Sequence, residues 1–100
     1  MAFGIEFVTE AEADLDTLQP FYRNQILDAI EQHLHHAPTQ VSHARIKRLR
    51  SVTSPAYRLR VGEYRVFYDV GREQQVVTIL RVLSKERSLR YLAEIEGGEQ

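Results

Sequence analysis

The stretch YRLRVGEYRVFY, residues 57–68, predicts a two-stranded β-hairpin. Its first half alternates apolar side chains with Arg58 and Arg60, which is the period of a half-buried strand. Gly62-Glu63 supplies a two-residue turn, with glycine at the first central position, where a type II′ turn requires a positive φ. The resulting register places Arg60 directly opposite Arg65, and like charges that face each other across a ladder are destabilising. A bound anion is the simplest relief, so the hairpin is the first candidate functional site.

The residues before the hairpin predict one strand and two helices. Residues 3–7 alternate apolar with small or polar side chains, which indicates a short first strand. The sequence TEAE at residues 9–12 matches a capping box, so the first helix is expected to begin at Thr9. Pro20 suits the first turn of a second helix, and the pair forms a helical hairpin. Residues 39–56 contain turn formers and a basic run, and we predict a turn or short strand there.

The residues after the hairpin predict a buried strand and a final helix. The run VVTILRVL at residues 76–83 is apolar on both parities, as in a strand that is covered on both faces. Ser84 is the expected N-cap of the last helix. The order β-α-α-β-β-β-α predicts an α+β fold with a small antiparallel sheet, an N-terminal helical hairpin and a C-terminal helix. Residues 1–100 are expected to form a single domain, with residues 96–100 frayed.

The last helix contributes two candidate functional residues. Lys85 lies near its start, where the free N-terminal amides favour an anion. Leu89, Leu92 and Ala93 form its predicted apolar stripe. Tyr91 lies off this stripe, so we expect its ring to be free to stack on a nucleobase.

Charge is unevenly distributed along the chain, although the net charge is only −1. Residues 1–40 contain seven acids and one base, residues 41–91 contain twelve bases and four acids, and residues 92–100 contain three acids. Such asymmetry indicates a face that binds nucleic acid or another polyanion. Two solvated surfaces of opposite sign are the alternative interpretation.

Composition excludes several classes of protein. The sequence has no cysteine, which removes disulfides and thiolate metal sites. No apolar run approaches the ~20 residues of a membrane span, and the N-terminus is acidic rather than signal-like, so we expect a cytoplasmic protein. His33 and His36 have a spacing that a metal site can use, but the negative end of a helix dipole also favours them there. We predict neither a metal nor a cofactor.

The order of elements and the hairpin motif resemble the RelE/ParE superfamily, the toxins of bacterial type II toxin–antitoxin modules. The matching motifs are YRLR at 57–60, GEYRVFY at 62–68, the apolar strand at 76–83, and KERS at 85–88 followed by Tyr91. The resemblance covers the whole chain in layout and residues 45–92 in motif. It implies a cognate antitoxin as partner. It also implies a RelE-like endoribonuclease that cuts mRNA in the ribosomal A site without a metal, by attack of the 2′-OH on the adjacent phosphate.

The resemblance also implies roles for individual residues. Arg58 and Arg60 match the two basic residues of the first hairpin strand, and Arg60 stands where the family usually has a lysine as base. Arg65 matches the arginine that stabilises the phosphorane, Lys85 the residue that protonates the leaving group, and Tyr91 the tyrosine that orients or stacks on a base. Arginine hardly loses its proton, so Arg60 is a poor proton acceptor.

Further contacts with RNA phosphates are predicted for Arg58, Arg45, Lys47, Arg48, Arg81 and Arg87. The basic run at residues 45–50 can track an RNA backbone or form a solvated loop. Arg81 can point toward the face of Lys85, or it can pair with Asp69 or Glu73.

Two other functions compatible with the superfamily are kept open. One is a ParE-like poison of DNA gyrase that is not a nuclease. The other is a weakly active or non-toxic member that only binds an antitoxin, which the arginine at position 60 and the near-neutral charge favour. The set Arg65, Lys85 and Tyr91 favours the RelE-like endoribonuclease.

Overall fold

A computed structural model describes residues 2–98, which form five strands and three helices. The elements are β1 Gly4–Phe7, α1 Thr9–Asp16, α2 Pro20–Leu34, β2 Ile46–Arg48, β3 Tyr57–Val61, β4 Tyr64–Gly71, β5 Val76–Ser84 and α3 Lys85–Gly98. The α+β class and the predicted order are confirmed, and β2 is an additional short strand within the region that was predicted as a turn or strand. None of the helices within residues 2–98 has the length and apolarity to cross a membrane.

The five strands form one sheet in the order β1-β5-β4-β3-β2. Strands β2 to β5 pair antiparallel, as hairpin connections require. β1 instead pairs parallel with β5, so the sheet is mixed rather than wholly antiparallel. No hairpin links β1 to its neighbour, and the long connection through the rest of the chain leaves its direction to tertiary packing.

The predicted hairpin register is confirmed residue by residue. Arg60 lies opposite Arg65, and Val61 lies opposite Tyr64 at the turn. Gly62 has a φ of 56°, the positive value that the turn requires. Because the register is correct, alternate residues of β3 and β4 face opposite sides of the sheet as expected.

The helical hairpin begins where the sequence predicts, but without the predicted capping box. α1 starts at Thr9, yet the N-cap residue is Val8, in extended conformation and with no side-chain capping bond. The Glu12 N–H instead donates to the Val8 carbonyl, at 3.0 Å. Pro20 is the first residue of α2, as predicted. The capping prediction was therefore wrong by one position, because Thr9 already lies inside the helix.

The sheet is covered on both faces. On one face, α1 and α2 pack against apolar residues of the sheet and enclose the larger core, which includes Ile26, Ile30, Leu34, Leu59, Val66, Tyr68, Val77 and Ile79. On the other face, Leu49, Val52, Phe67 and Leu83 form a smaller cluster against α3. We call this second side of the sheet the α3 face. The two covered faces explain why β5 is apolar on both parities.

α3 uses a different face from the predicted one. Ser84 caps the helix as expected, since its Oγ accepts a hydrogen bond from the Arg87 N–H at 3.3 Å. Leu89 is 64% exposed, whereas Tyr91, Leu92 and Ile95 pack on the smaller cluster. Leu92 of the predicted stripe therefore packs as expected, whereas Leu89 and Ala93 are exposed and Tyr91 and Ile95 pack instead. The helix reaches Gly98, although fraying was predicted from residue 96, and residues 99–100 lie outside the described part of the chain.

Candidate nucleic-acid interface

Three arginines of the β3–β4 hairpin share the α3 face, as the sequence predicts. Arg60 is exposed on β3, Arg65 is only 9% exposed on β4, and Arg58 is half-buried two residues before Arg60. Within residues 2–98 none of the three is in an ion pair, because the one salt bridge found there joins other residues. This face therefore carries positive charge that no carboxylate of the described chain neutralises by direct contact.

Arg65 is held against the turn of the hairpin. Its Nη1 donates to the carbonyls of Gly62 and Tyr64, each at 2.9 Å. Burial lowers the pKa of Arg65, and the nearby charge of Arg60 lowers it further, while Glu63 acts in the opposite direction. Backbone oxygens thus orient the guanidinium, and burial makes its charged form less favourable. An anion beside it would stabilise that charge.

Arg58 carries an unsatisfied polar atom. Its Nε is buried and makes no hydrogen bond. Burial lowers the pKa of Arg58, followed by repulsion from Arg65 and then Arg60. A buried donor without a partner costs about 1–3 kcal/mol, so this atom indicates an acceptor that residues 2–98 do not supply.

The start of α3 is joined to the same turn. The Lys85 N–H donates to the Glu63 carbonyl at 2.8 Å, and the Lys85 side chain is exposed. Leu83, two residues earlier, lies directly opposite Arg65 in the β4–β5 ladder. Lys85 therefore lies at the end of the sheet where Arg60 and Arg65 are paired, although it follows them by 25 and 20 positions in sequence.

Tyr91 is more enclosed than the sequence predicts. Its ring lies 5.0 Å from the Phe67 ring, centroid to centroid, and the Arg81 guanidinium carbon lies 5.6 Å from its centroid. Burial raises the pKa of Tyr91, and the charge of Arg81 opposes this effect. The expectation of a freely stacking ring is therefore wrong in this structure, because the ring already packs against Phe67.

Arg81 forms an ion pair with a residue that the sequence analysis did not identify. Its Nε and Nη2 donate to the two carboxylate oxygens of Asp14 at 2.8 and 3.0 Å. The Val82 N–H also donates to Asp14 Oδ2, at 2.9 Å, beside a β-bulge. Neither Asp69 nor Glu73, the two predicted partners, takes part. The hydrogen bond to Asp14 raises the pKa of Arg81.

A sequence signal for Asp14 was available. Ala11, Asp14, Leu15 and Leu18 lie at i, i+3, i+4 and i+7, so Asp14 falls on the buried stripe of α1, and it is only 7% exposed. A charged residue at a core-facing position needs a partner. The sequence does not indicate which cation that partner is.

The remaining predicted cations lie in different places. Lys47 is exposed and pairs with Arg58 in the β2–β3 ladder, so it extends the α3 face. Arg48 instead donates to the carbonyls of Leu49 and Ala56, with its guanidinium 5.2 Å from the Tyr57 ring.

Arg45 and Arg87 are also exposed, and each lies near residues outside the hairpin. The charge of Arg45 acts on His33 of α2, whose pKa is lowered first by burial and then by this arginine. Arg87 lines a small cavity with Arg90, Tyr91 and other residues of α3 and β5. Within residues 2–98 no group of three His, Cys, Asp or Glu side chains has the arrangement of a metal site.

Over residues 5–89 the sequence matches the family described as the ParE toxin of the type II toxin–antitoxin system, parDE. The chain belongs to this family. Its membership confirms the RelE/ParE superfamily that the hairpin motif indicates, and the chain is a toxin of a type II toxin–antitoxin module. A comparison with curated proteins gives no significant match.

Solved structures place this ParE-family toxin beside RelE toxins. The toxin–antitoxin complex RelBE2 from Mycobacterium tuberculosis is 28% identical with a TM-score of 0.71, over 84% of this chain and 99% of that one. A mutant of the Escherichia coli toxin RelE in the free state is 25% identical with a TM-score of 0.68, over 91% and 92%. The archaeal RelE–RelB complex from Pyrococcus horikoshii OT3 is 23% identical, with a TM-score of 0.70 over 87% and 99%, and shows a likeness of fold.

The geometry of this toxin suits an oxyanion such as a phosphate. Arg60 and Arg65 lie opposite each other in the hairpin ladder, and guanidinium presents paired N–H donors that match phosphate oxygens. Lys85 adds a mobile point charge at the same end of the sheet. What the arrangement lacks is a carboxylate, histidine or lysine in the β3 strand that can accept a proton at neutral pH.

Proposed function

We propose that this toxin is a RelE-type endoribonuclease that cuts mRNA on the ribosome and thereby inhibits translation. The observation that carries the proposal is the unneutralised pair Arg60–Arg65, with Lys85 anchored by its backbone to the same turn. The likeness to RelE toxins at 25% identity and above supports the choice of chemistry. An mRNA target on ribosomes also sets the cytoplasm as the place of action.

The proposed reaction needs no metal. The 2′-oxygen of one nucleotide attacks the adjacent phosphorus, and the bond from phosphorus to the 5′-oxygen of the next nucleotide breaks. Arg60 and Arg65 stabilise the charge that develops on the phosphorane oxygens. Lys85 donates a proton to the departing 5′-oxygen, and the Tyr91 ring, held by Phe67, orients a neighbouring base.

The proton of the 2′-OH requires a different acceptor from that of most RelE toxins. Arg60 stays protonated at physiological pH, so we assign this proton to a phosphate oxygen or to water. The assignment predicts a slow chemical step compared with an enzyme that has a lysine at this position.

A cognate antitoxin is part of the proposal. Structural relatives include complexes of RelE toxins with RelB antitoxins from Mycobacterium tuberculosis and Pyrococcus horikoshii. We propose that an antitoxin helix or strand covers the helical hairpin and the sheet of this toxin, in the manner of helix-in-groove or strand-addition complexes.

A ParE-like gyrase poison is the second candidate, because the family that matches the sequence is that of the ParE toxin. It requires no proton transfer, so arginine at position 60 is not a disadvantage. A weakly active member that mainly binds its antitoxin is a third, which Arg60 also favours. Lys85 separates these candidates, since only the nuclease needs its proton.

The test is inducible expression with and without the antitoxin encoded beside the toxin gene, followed by mapping of mRNA 5′ ends. The nuclease predicts arrested translation with new 5′ ends. Lys85→Ala and Arg65→Ala should reduce cleavage about 10²–10³-fold, the usual cost of a lost transition-state donor. Arg72→Ala is the matched control, an exposed arginine in the β4–β5 loop.

Arg65 also bonds the turn, so its variant needs a folding control by circular dichroism. Lys85 is exposed, and its side chain makes no hydrogen bond among residues 2–98, so Lys85→Ala should leave the fold unchanged. Growth arrest with intact mRNA would overturn the nuclease, and accompanying DNA damage would favour the gyrase poison.

A further inference from the structure

A cavity beside the hairpin arginines has no role in the proposed reaction. It has a volume of about 590 Å³, within the usual range of small-molecule sites. It lies at the β2 edge of the sheet, where the loop before β2 folds back toward the strand. Its lining residues are Val41, Ser42, His43, Ile46, Lys47 and Arg58.

One side of this cavity is cationic. Lys47 and Arg58 are directly opposite each other in the β2–β3 ladder, an arrangement that costs energy without an intervening anion. The buried Nε of Arg58 has no hydrogen-bond partner in the described part of the chain. None of the described residues that line the cavity is acidic, in contrast to the groove between α1 and α2, which contains Glu12 and Asp16.

The other side offers an apolar and aromatic wall. Val41 is 58% exposed although it is aliphatic, and the His43 imidazole is exposed beside it. Ser42 Oγ accepts hydrogen bonds from the N–H groups of Arg45 and Ile46 at 3.2 and 3.3 Å, which holds the loop that carries this wall. A phosphate alone would use only the cationic side, whereas a nucleotide would use both sides.

The cavity is adjacent to the proposed reaction site. Arg58 and Arg60 lie two residues apart on β3, on the same face, which corresponds to about 7 Å along the strand. The backbone also connects the two places, because the Arg60 N–H donates to the Arg45 carbonyl at 2.8 Å. An RNA strand that crosses the Arg60–Arg65 pair along β3 therefore passes this cavity next.

We propose that the cavity is a nucleotide subsite for the single-stranded RNA, binding a phosphate with Lys47 and Arg58 and the attached base with Val41 and His43. The proposal rests on the proposed function, because it assumes that RNA crosses the α3 face. It adds a subsite that positions the strand without taking part in bond cleavage. The single-stranded form is required, since a paired base has no free face to place on this wall.

The experiment measures binding of the purified full-length chain to 5′-fluorescent 2′-O-methyl oligouridylates of two to six nucleotides, which cannot be cleaved by 2′-OH attack. A subsite predicts one step in affinity of about 5–100-fold as the oligonucleotide becomes long enough to reach the cavity, the usual contribution of one stacked base. His43→Ala and Val41→Ser should remove most of this step. Lys47→Ala should lower the dependence of log K on log salt by about 0.7.

Arg72→Ala is the charge-matched control, expected to retain the step. An oligonucleotide with an abasic residue at the added position distinguishes a nucleotide site from a phosphate site, and equal affinity for it would overturn the proposal. Wild-type binding without any step, or with a step that survives in Lys47→Ala and His43→Ala, would also overturn it while leaving the proposed function intact. No binding of any oligonucleotide would likewise overturn the subsite, whereas failure of the proposed function has a separate signature, which is growth arrest on expression with intact mRNA 5′ ends.

Discussion

Asp14→Asn is the perturbation whose consequence the structure defines best. Asp14 is 7% exposed and accepts three hydrogen bonds, two from Arg81 and one from the Val82 N–H. The asparagine keeps the shape but loses the charge, and it presents an NH₂ group to at least one donor. Removing one partner of a buried ion pair costs about 3–5 kcal/mol. Because the Arg81 side chain is 28% exposed and water can solvate it, we expect a loss of about 2–3 kcal/mol.

Urea unfolding followed by circular dichroism measures this loss, with a midpoint that falls at constant slope. In thermal unfolding the same loss corresponds to a decrease in Tm of about 10–20 °C for a domain of this size. Asp16→Asn is the control, because Asp16 is exposed on the same helix and should change stability by less than about 0.5 kcal/mol.

A double-mutant cycle with Arg81→Gln tests the cause. If the ion pair carries the effect, the double variant is less destabilised than the sum of the single variants, by about 1–2 kcal/mol. Additive losses, or a loss below about 1 kcal/mol for Asp14→Asn, would show that this contact does not hold α1 to β5.

Three further predictions follow from single residues. Tyr68 is buried and donates a hydrogen bond to the Pro38 carbonyl at 2.6 Å. Burial raises the pKa of Tyr68 above the ordinary 10.0. The stability that Tyr68 contributes is therefore complete below pH 10 and falls as the pH rises further. Tyr68→Phe should cost about 1–2 kcal/mol at pH 8 and show a shallower alkaline decline in urea unfolding; an unchanged decline would contradict this. Gly62→Ala should cost about 1–2 kcal/mol in thermal unfolding because φ is 56° there, although no atom lies within 4 Å of the added Cβ, whereas Gly97→Ala in α3 should cost nothing. Arg60→Lys should accelerate single-turnover cleavage of ribosome-bound mRNA by about tenfold or more, since a positioned general base contributes about 10²–10⁴; an unchanged or lower rate would contradict the assignment of Arg60 as a poor base.

Local pattern was sufficient to predict the hairpin and its arginines. Period-two alternation and a glycine with positive φ determine both the register and the facing of each side chain, because a strand has only two faces. The opposition of Arg60 and Arg65 was therefore predictable from about a dozen residues. The start of α3 after Ser84 followed from local capping chemistry in the same way.

Where the last helix faces was not predictable from local pattern. Leu89 and Tyr91 are both plausible members of an apolar stripe, and the sheet beneath decides between them. Phe67 and Leu83 provide the apolar surface that Tyr91 covers, which leaves Leu89 in solvent. The predicted free tyrosine was wrong because its partner lies on a strand 24 positions earlier in the chain.

The sequence by itself determined the α+β class, the hairpin register and the positive charge of residues 41–91, since each depends on neighbours in the chain. Only the tertiary structure decided that β1 runs parallel to β5, that Asp14 neutralises Arg81, and that Lys47 and Arg58 share a cavity. These contacts join residues far apart in sequence. Local pattern could not choose among the possible acidic partners of Arg81. Packing of helices on the sheet selects among such partners, because a buried charge is tolerated only where its counter-charge lies within hydrogen-bond distance.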